Sequence, residues 1–402
     1  LLLVGPVLLL ALAVRPGPEK TTGEGDLAFL EKHWRLPIPP QGPAPKRFSA
    51  LEASLDAKSC GACHPTQYQD WKTSLHAKAM GPGVLGQTVD LIEQDPSTAL
   101  LCYSCHTPLA EQSSKMRGAG GQIVAYRGSQ KTLQEEGLTC AACHVRGHER
   151  FGPPRRPGAP AADLPREKLP HNGVTRTAAF ERGEFCSGCH QFAPDDLALN
   201  GKLLENTFNE WKEGPYAKEG RQCQDCHMPD RRHLWRGIHD PEMVKQAVAV
   251  ALRIKRRAAR PGEMVEATLT VTNRGAGHMF PTYVTPQVFV RAELVDATGQ
   301  GVPGTLEEQI IGRGISLDLS RELYDTRIPP QGNFTFRYSR KAERAGLKVR
   351  AWVTVYPDYH YVAVFKSIIP SAGPRGRPLL EEALKTAEAS HFEIFRAEEP
   401  IS

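Results

Sequence analysis

Residues 60–64 read Cys60-Gly-Ala-Cys63-His64, and the same Cys-x-x-Cys-His pattern returns four times, at Cys102-Tyr-Ser-Cys105-His106, Cys140-Ala-Ala-Cys143-His144, Cys186-Ser-Gly-Cys189-His190 and Cys223-Gln-Asp-Cys226-His227. These five motifs use all ten cysteines of the 402-residue chain. A cysteine count alone leaves disulfides, zinc and thiol redox chemistry open, and spacing decides among them. Two thiols three positions apart share one helical turn and can each form a thioether to one porphyrin, while the next residue reaches the iron as proximal ligand. Zinc sites would draw on two motifs each, and five do not pair evenly. Neither zinc nor a disulfide framework explains a histidine after every second cysteine. The pattern is the covalent haem c signature, and it predicts five covalently bound haem c groups.

Haem of this kind is attached after export, so the chain is expected to be exported, to the periplasm or the cell surface. "LLLVGPVLLLALAV" (1–14) has the apolar core of an export signal. It carries no starting methionine and no basic flank, which leaves two readings, a signal cut near Ala11 to Ala13 or the end of a membrane anchor. Fourteen residues are short for a span, which favours the signal.

The bare chain has a formal charge of +5. Each haem brings two propionates, so five would bring the oxidised holoprotein near zero and the reduced one to roughly −5. The basic balance is therefore no sign of nucleic acid. Clusters such as Arg253, Lys255, Arg256 and Arg257 read as solvated faces or propionate partners.

The chain divides by composition. Residues 15–53 include "RLPIPPQGPAPKRF" and read as a proline-rich lead or wrapping segment. Residues 54–244 carry the motifs, their first cysteines 42, 38, 46 and 37 residues apart. This part reads as a mainly α domain of short helical units, with a proline-rich loop at Phe151 to Pro170. It is sparse in large aliphatic residues, so the haems themselves must supply much of its core. From 245 to 366 the pattern changes to period two in "EMVEATLTVTN", "QVFVRAELVD", "GNFTFRYS" and "KVRAWVTVYP", with turns at "DATGQG" and "PPQGN". An antiparallel β-sandwich, immunoglobulin-like in topology, is the expected fold there. Residues 367–402 read as a C-terminal tail with one short helix at Pro378 to Ala389.

With "YQDWKTSLHAKAM" after the first motif, "EFCSGCHQF" at the fourth and "CQDCHMP" at the fifth, residues 55 to 245 resemble the cytochrome c-554 family, which shares its haem packing with hydroxylamine oxidoreductase and the pentahaem nitrite reductases. The β region, with "GAGHMFPT", resembles a C-terminal module of some multihaem cytochromes. The resemblance implies haems packed in stacked and perpendicular pairs, close enough for electrons to hop.

The histidines outside the motifs decide whether each iron is closed, since a bis-histidine haem transfers electrons and an open one permits substrate chemistry. By the resemblance, His76 matches a position supplying a distal ligand, and His171, fifteen residues before Cys186, is in a family-like place. His233 and His239 follow the fifth motif closely enough to serve adjacent haems. His278 stands between Gly277 and Met279 in a loop between strands, where a rigid sheet can project one side chain at a partner domain and Gly275 and Gly277 admit close approach of a macrocycle. His148 is held in reserve. His33, His360 and His391 read as packing or surface residues.

Two functions follow. The first is an electron carrier passing electrons along its haems between redox partner proteins, donor or acceptor cytochromes or quinol-linked membrane complexes. The alternative is a multihaem oxidoreductase acting on a small nitrogen or sulfur compound at one open haem. No CxxCK motif marks an active haem, and the spare histidines suffice to close all five irons, so transfer is preferred. A filament sharing a histidine between subunits is a third reading.

Overall fold

The computed structural model describes residues 24–118, 120–159, 164–258 and 260–401. The stretch read as an export signal lies outside them. Among the described residues no helix is long and apolar enough to cross a membrane.

The described residues from Glu24 to Ala247 form short helices with a few two- to four-residue strands between them. Four motif histidines end their helices: Pro96–His106, Cys140–His144, Glu184–His190 and Cys223–His227. The residue after each leaves helical geometry, so the helix is just long enough to put two thiols and an imidazole on one turn. Starts are fixed by ordinary caps. Asp56 accepts the Ser59 N–H ahead of Cys60, and Asp95 accepts the Thr98 N–H with Pro96 in the first turn. The apolar contacts here form separate small clusters, one around Ile38, Leu109, Leu133 and Ala141 and another around Met80, Leu100 and Tyr103. The lead segment is more structured than its prolines suggest. Glu24–His33 is a helix, and Ile38 bridges to Leu109 inside the first cluster.

The described residues beyond Ala247 supply eight antiparallel strands: β1 Val248–Arg256, β2 Met264–Asn273, β3 Gln287–Val295, β4 Glu307–Ile315, β5 Glu322–Asp325, β6 Asn333–Lys341, β7 Lys348–Tyr356 and β8 Phe392–Pro400. They make two sheets, β1-β2-β6 and β5-β4-β3-β7-β8. Alternation sorts the side chains, so that Val265, Ala267, Leu269 and Val271 of β2 are buried. Both sheets feed one core, where Leu269 and Phe336 of the first join Val290, Ile311 and Val353 of the second. The chain as a whole is thus a helical part joined to a sheet-rich part, and "mainly α" describes only the first.

The segment 367–402 is not a tail. After the helices Tyr359–Ile368 and Gly376–Ala389 the chain returns as β8, pairing with β7 along the sheet edge. The two helices reach back to the helical part. A Cβ on Gly86 would lie 2.9 Å from Leu380 Cγ, so the approach of Gly376–Ala389 to Pro82–Thr88 depends on that glycine.

The junction between the two parts is polar and buried. Arg313 of β4, 1% exposed, donates to the carbonyls of Leu199, Lys202 and Leu203 at 3.0, 2.9 and 2.7 Å and pairs with Glu322 at 2.8 Å. Lys202 reaches back to Glu322 at 2.8 Å and Asp325 at 2.6 Å.

Candidate haem-ligand sites

Three motif histidines each face a second imidazole. The His144 and His233 ring centres are 6.2 Å apart, those of His76 and His190 6.3 Å, and those of His227 and His278 6.4 Å with planes inclined by 12°. A metal–imidazole bond of about 2.0 Å plus roughly 1.2 Å from ring nitrogen to ring centre gives roughly 6.4 Å for two imidazoles facing each other across one metal ion. The spacing in all three pairs is too wide for direct stacking and fits a shared ion. His171 lies close enough to His64 for their charges to interact. Among the described residues neither His64 nor His106 makes a ring contact with another imidazole, and His106 lies close enough to His76 and His190 for their charges to interact.

The hydrogen bonds point the same way. Nδ1 of His106, His144 and His227 donates to the carbonyls of Ala79, Phe151 and Arg236 at 2.7, 2.8 and 2.6 Å. On the facing side, Nδ1 of His171, His233 and His278 donates to Gly173, Arg231 and Met279 at 3.1, 3.1 and 2.8 Å. An imidazole anchored through Nδ1 presents Nε2 as a neutral ligand with fixed ring orientation. His76 differs, since its buried Nδ1 has no hydrogen-bond partner among the described residues. Its ring is held by packing, with the Trp235 ring 4.6 Å away edge-on. Burial holds His76 at a pKa of about 3 and His144 and His190 at about 4, so these rings stay neutral.

Other candidates use Nε2 elsewhere. His239 Nε2 lies 3.0 and 3.1 Å from the two Asp358 oxygens, and among the described residues its ring makes no contact with a motif histidine. His148 Nε2 donates to Gly42 O at 2.9 Å. His33 is buried among Phe29, Trp34, Phe151, Phe180 and Phe185, its Nε2 bonded to Cys143 O at 2.9 Å. The glycines beside His278 serve protein packing. A Cβ on Gly275 would meet Gln246 O at 2.8 Å, and one on Gly277 would meet Trp211 Cδ1 at 3.2 Å.

Sequence reasoning missed the carboxylates that hold these loops. Glu52 accepts the His171 N–H at 2.7 Å. Asp70 accepts the His233 N–H at 3.0 Å and takes Arg232 through both oxygens at 2.6 and 2.7 Å. Glu210 accepts the Met279 N–H at 3.2 Å and the Thr282 hydroxyl at 2.7 Å. One acid thus fixes the backbone beside each of the three facing histidines on irregular loops. The strain there is visible, with His171 at φ 42° and Trp235 at φ 41° in the left-handed region.

The cysteines suit thioether attachment. All ten are free, two to a motif on one turn. The thiols of Cys60 and Cys140, Cys105 and Cys189, and Cys186 and Cys223 lie against one another, which links the first motif to the third, the second to the fourth and the fourth to the fifth.

Residues 59–145 match the family model of cytochrome c554 and c-prime. Cytochrome c-554 of Nitrosomonas europaea is 28% identical over 141 residues, 33% of this chain and 55% of that protein, so the match spans about half the length of that relative. A penta-heme cytochrome c552 from Thermochromatium tepidum shares the fold, with a TM-score of 0.60 over 88% of this chain and all of that one, at 19% identity.

Proposed function

We propose that this multihaem c-type cytochrome binds five haems through its five motifs and carries electrons between redox partner proteins after export. The observation that carries the reading is the set of three imidazole pairs at 6.2 to 6.4 Å. Haem bound there supplies one-electron chemistry, and a pair of histidines on one iron keeps it from binding substrate. We assign His144 with His233, His190 with His76, His227 with His278 and His64 with His171 as ligand pairs, and leave His239 out because its Nε2 is engaged by Asp358. The buried, carboxylate-pinned loops keep these rings in place in both oxidation states, which lowers the reorganisation that electron transfer requires. The order of sheets, β1-β2-β6 facing β5-β4-β3-β7-β8, supports the immunoglobulin-like reading of the C-terminal part.

A second reading rests on His106, whose near imidazoles, His76 and His190, already face each other. There the helix Tyr359–Ile368 brings Tyr361 close enough to Cys102 for their charges to interact. An open position at the second motif would suit the oxidoreductase alternative, with a small nitrogen or sulfur compound as substrate.

Low-temperature EPR of the ferric protein and CO binding by the reduced protein test both. At least four low-spin haems per chain are expected. One high-spin, CO-binding haem that responds to substitution at the second motif supports the second reading. Several high-spin haems would refute the ligand pairs.

A further inference from the structure

The anchor of His190 differs from those of its counterparts. His106, His144 and His227 donate Nδ1–H to backbone carbonyls, whereas Nδ1 of His190 meets the phenol oxygen of Tyr283 at 2.7 Å. Tyr283 comes from the sheet-rich part, 93 residues along the chain, and its ring centre is 6.4 Å from that of His190. The same loop carries His278, so residues 278–283 touch the ligand sets of two motifs.

We propose that Tyr283 is a positioning residue that sets the reduction potential of the fourth haem through His190. If Nε2 of His190 holds the iron, Nδ1 carries the proton and must donate, and the phenol oxygen accepts. The phenol then turns its own hydrogen to another partner, and Thr207 is within hydrogen-bond reach of it. A phenol oxygen shares its lone pair with the ring and is a weaker acceptor than an amide carbonyl. A weaker acceptor draws the Nδ1 proton less, leaves the imidazole less electron-rich and favours the reduced iron. The fourth haem is therefore poised at a higher potential than carbonyl-anchored neighbours with the same ligands.

Thr282, next in the chain, bonds to Glu210 at 2.7 Å, and Glu210 pairs with Arg327 at 2.9 Å. The phenol is thus presented by the domain junction, and the hydrogen bond exists only when the two parts are docked.

The inference rests on the pairing of His76 with His190, and the test separates the two. In holoprotein, His76→Ala should turn one low-spin haem high-spin, which identifies the fourth haem in an EPR-monitored redox titration. In Tyr283→Phe that component should stay low-spin while its affinity for the electron rises three- to tenfold, ~28 to ~59 mV for one electron. The other components should stay put. Fluorinated tyrosine placed at 283 by suppression keeps ring and hydroxyl but weakens the acceptor, and should give a smaller shift in the same direction. If Tyr283→Phe does not mature, the fluorinated series decides. An unchanged midpoint, or a shift of all components together, overturns the role of Tyr283. No high-spin haem in His76→Ala overturns the pairing instead.

Discussion

Oε1 of Glu210 lies 2.9 Å from Nη1 of Arg327, and both side chains are almost wholly buried, 8% and 5% exposed. Arg327 also donates to the Thr282 carbonyl at 2.8 Å, while the other oxygen of Glu210 takes the Met279 N–H and the Thr282 hydroxyl. The pair therefore clamps the loop that follows His278 from both sides. Glu210→Ala should cost about 1–3 kcal/mol, because the Met279 N–H and the Thr282 hydroxyl lose their acceptor while Arg327 keeps its pair with Asp325. Thermal unfolding of the holoprotein checks the size of the loss. A haem held by His227 and His278 should also lose low-spin signal, since no acceptor then holds the Met279 N–H next to His278.

Asp70 makes the same kind of hold without crossing the junction. Its carboxylate is buried, accepts Arg232 through both oxygens and caps the His233 N–H. Asp70→Asn keeps the shape but gives up the charge-assisted pair, worth about 1.5–3 kcal/mol. The expected result is a broadened low-spin EPR signal from the third-motif haem, with the others unchanged. A uniform loss of stability with every haem signal intact would count against a positioning role.

How much of this was legible in the sequence depended on distance along the chain. The motifs are local, and so was the context of His278, a histidine in a glycine-bounded loop among alternating strands. His233 and His239 looked equivalent, six and twelve residues after His227. What separates them is Asp358, 119 residues beyond His239, and Asp70, 163 residues before His233. No local pattern shows either. The final strand escaped for another reason. "FEIFRAEEP" lies at the edge of its sheet, where Glu393, Arg396 and Glu398 face solvent and blur the apolar alternation. Its pairing also slips at Val353/Thr354, which breaks the period again.

The junction should weaken in acid. Burial pushes the Asp325 carboxyl up, but hydrogen bonds from Arg327 at 2.9 and 3.0 Å and from Lys202 at 2.6 Å outweigh it and hold the pKa at about 2, below its ordinary 3.8. A carboxylate with a depressed folded pKa stabilises above its ordinary value and loses that contribution as pH falls through the folded one. The loss should therefore fall between about pH 4 and pH 2. Burial pushes Glu322 up too, but Lys202, Asn200 and Arg313 together outweigh it, so its pKa is lowered as well and adds to the same limb. Limited proteolysis with an acid-active protease should begin to separate the two parts in this window. Asp325→Asn should be less stable at neutral pH and show a flatter acid limb than the wild type.

The last prediction sets His278 against His239, two histidines near the same motif. The His278 ring faces His227 at 6.4 Å with Nδ1 tied to the Met279 carbonyl, so removing it should leave one iron with a single histidine. His278→Ala should turn one haem high-spin, open it to CO after reduction, and make the sheet-rich part easier to cleave away, because a coordinate bond joining the two parts is lost. His239 is one-third exposed, and its Nε2 pairs with Asp358. His239→Ala removes an exposed pair worth about 0–1 kcal/mol and should leave every haem spectrum as it was. If His239→Ala opens an iron and His278→Ala does not, the two assignments must be exchanged. If neither does, the fifth-motif haem draws its second ligand from elsewhere, and the 6.4 Å pair is no more than packing.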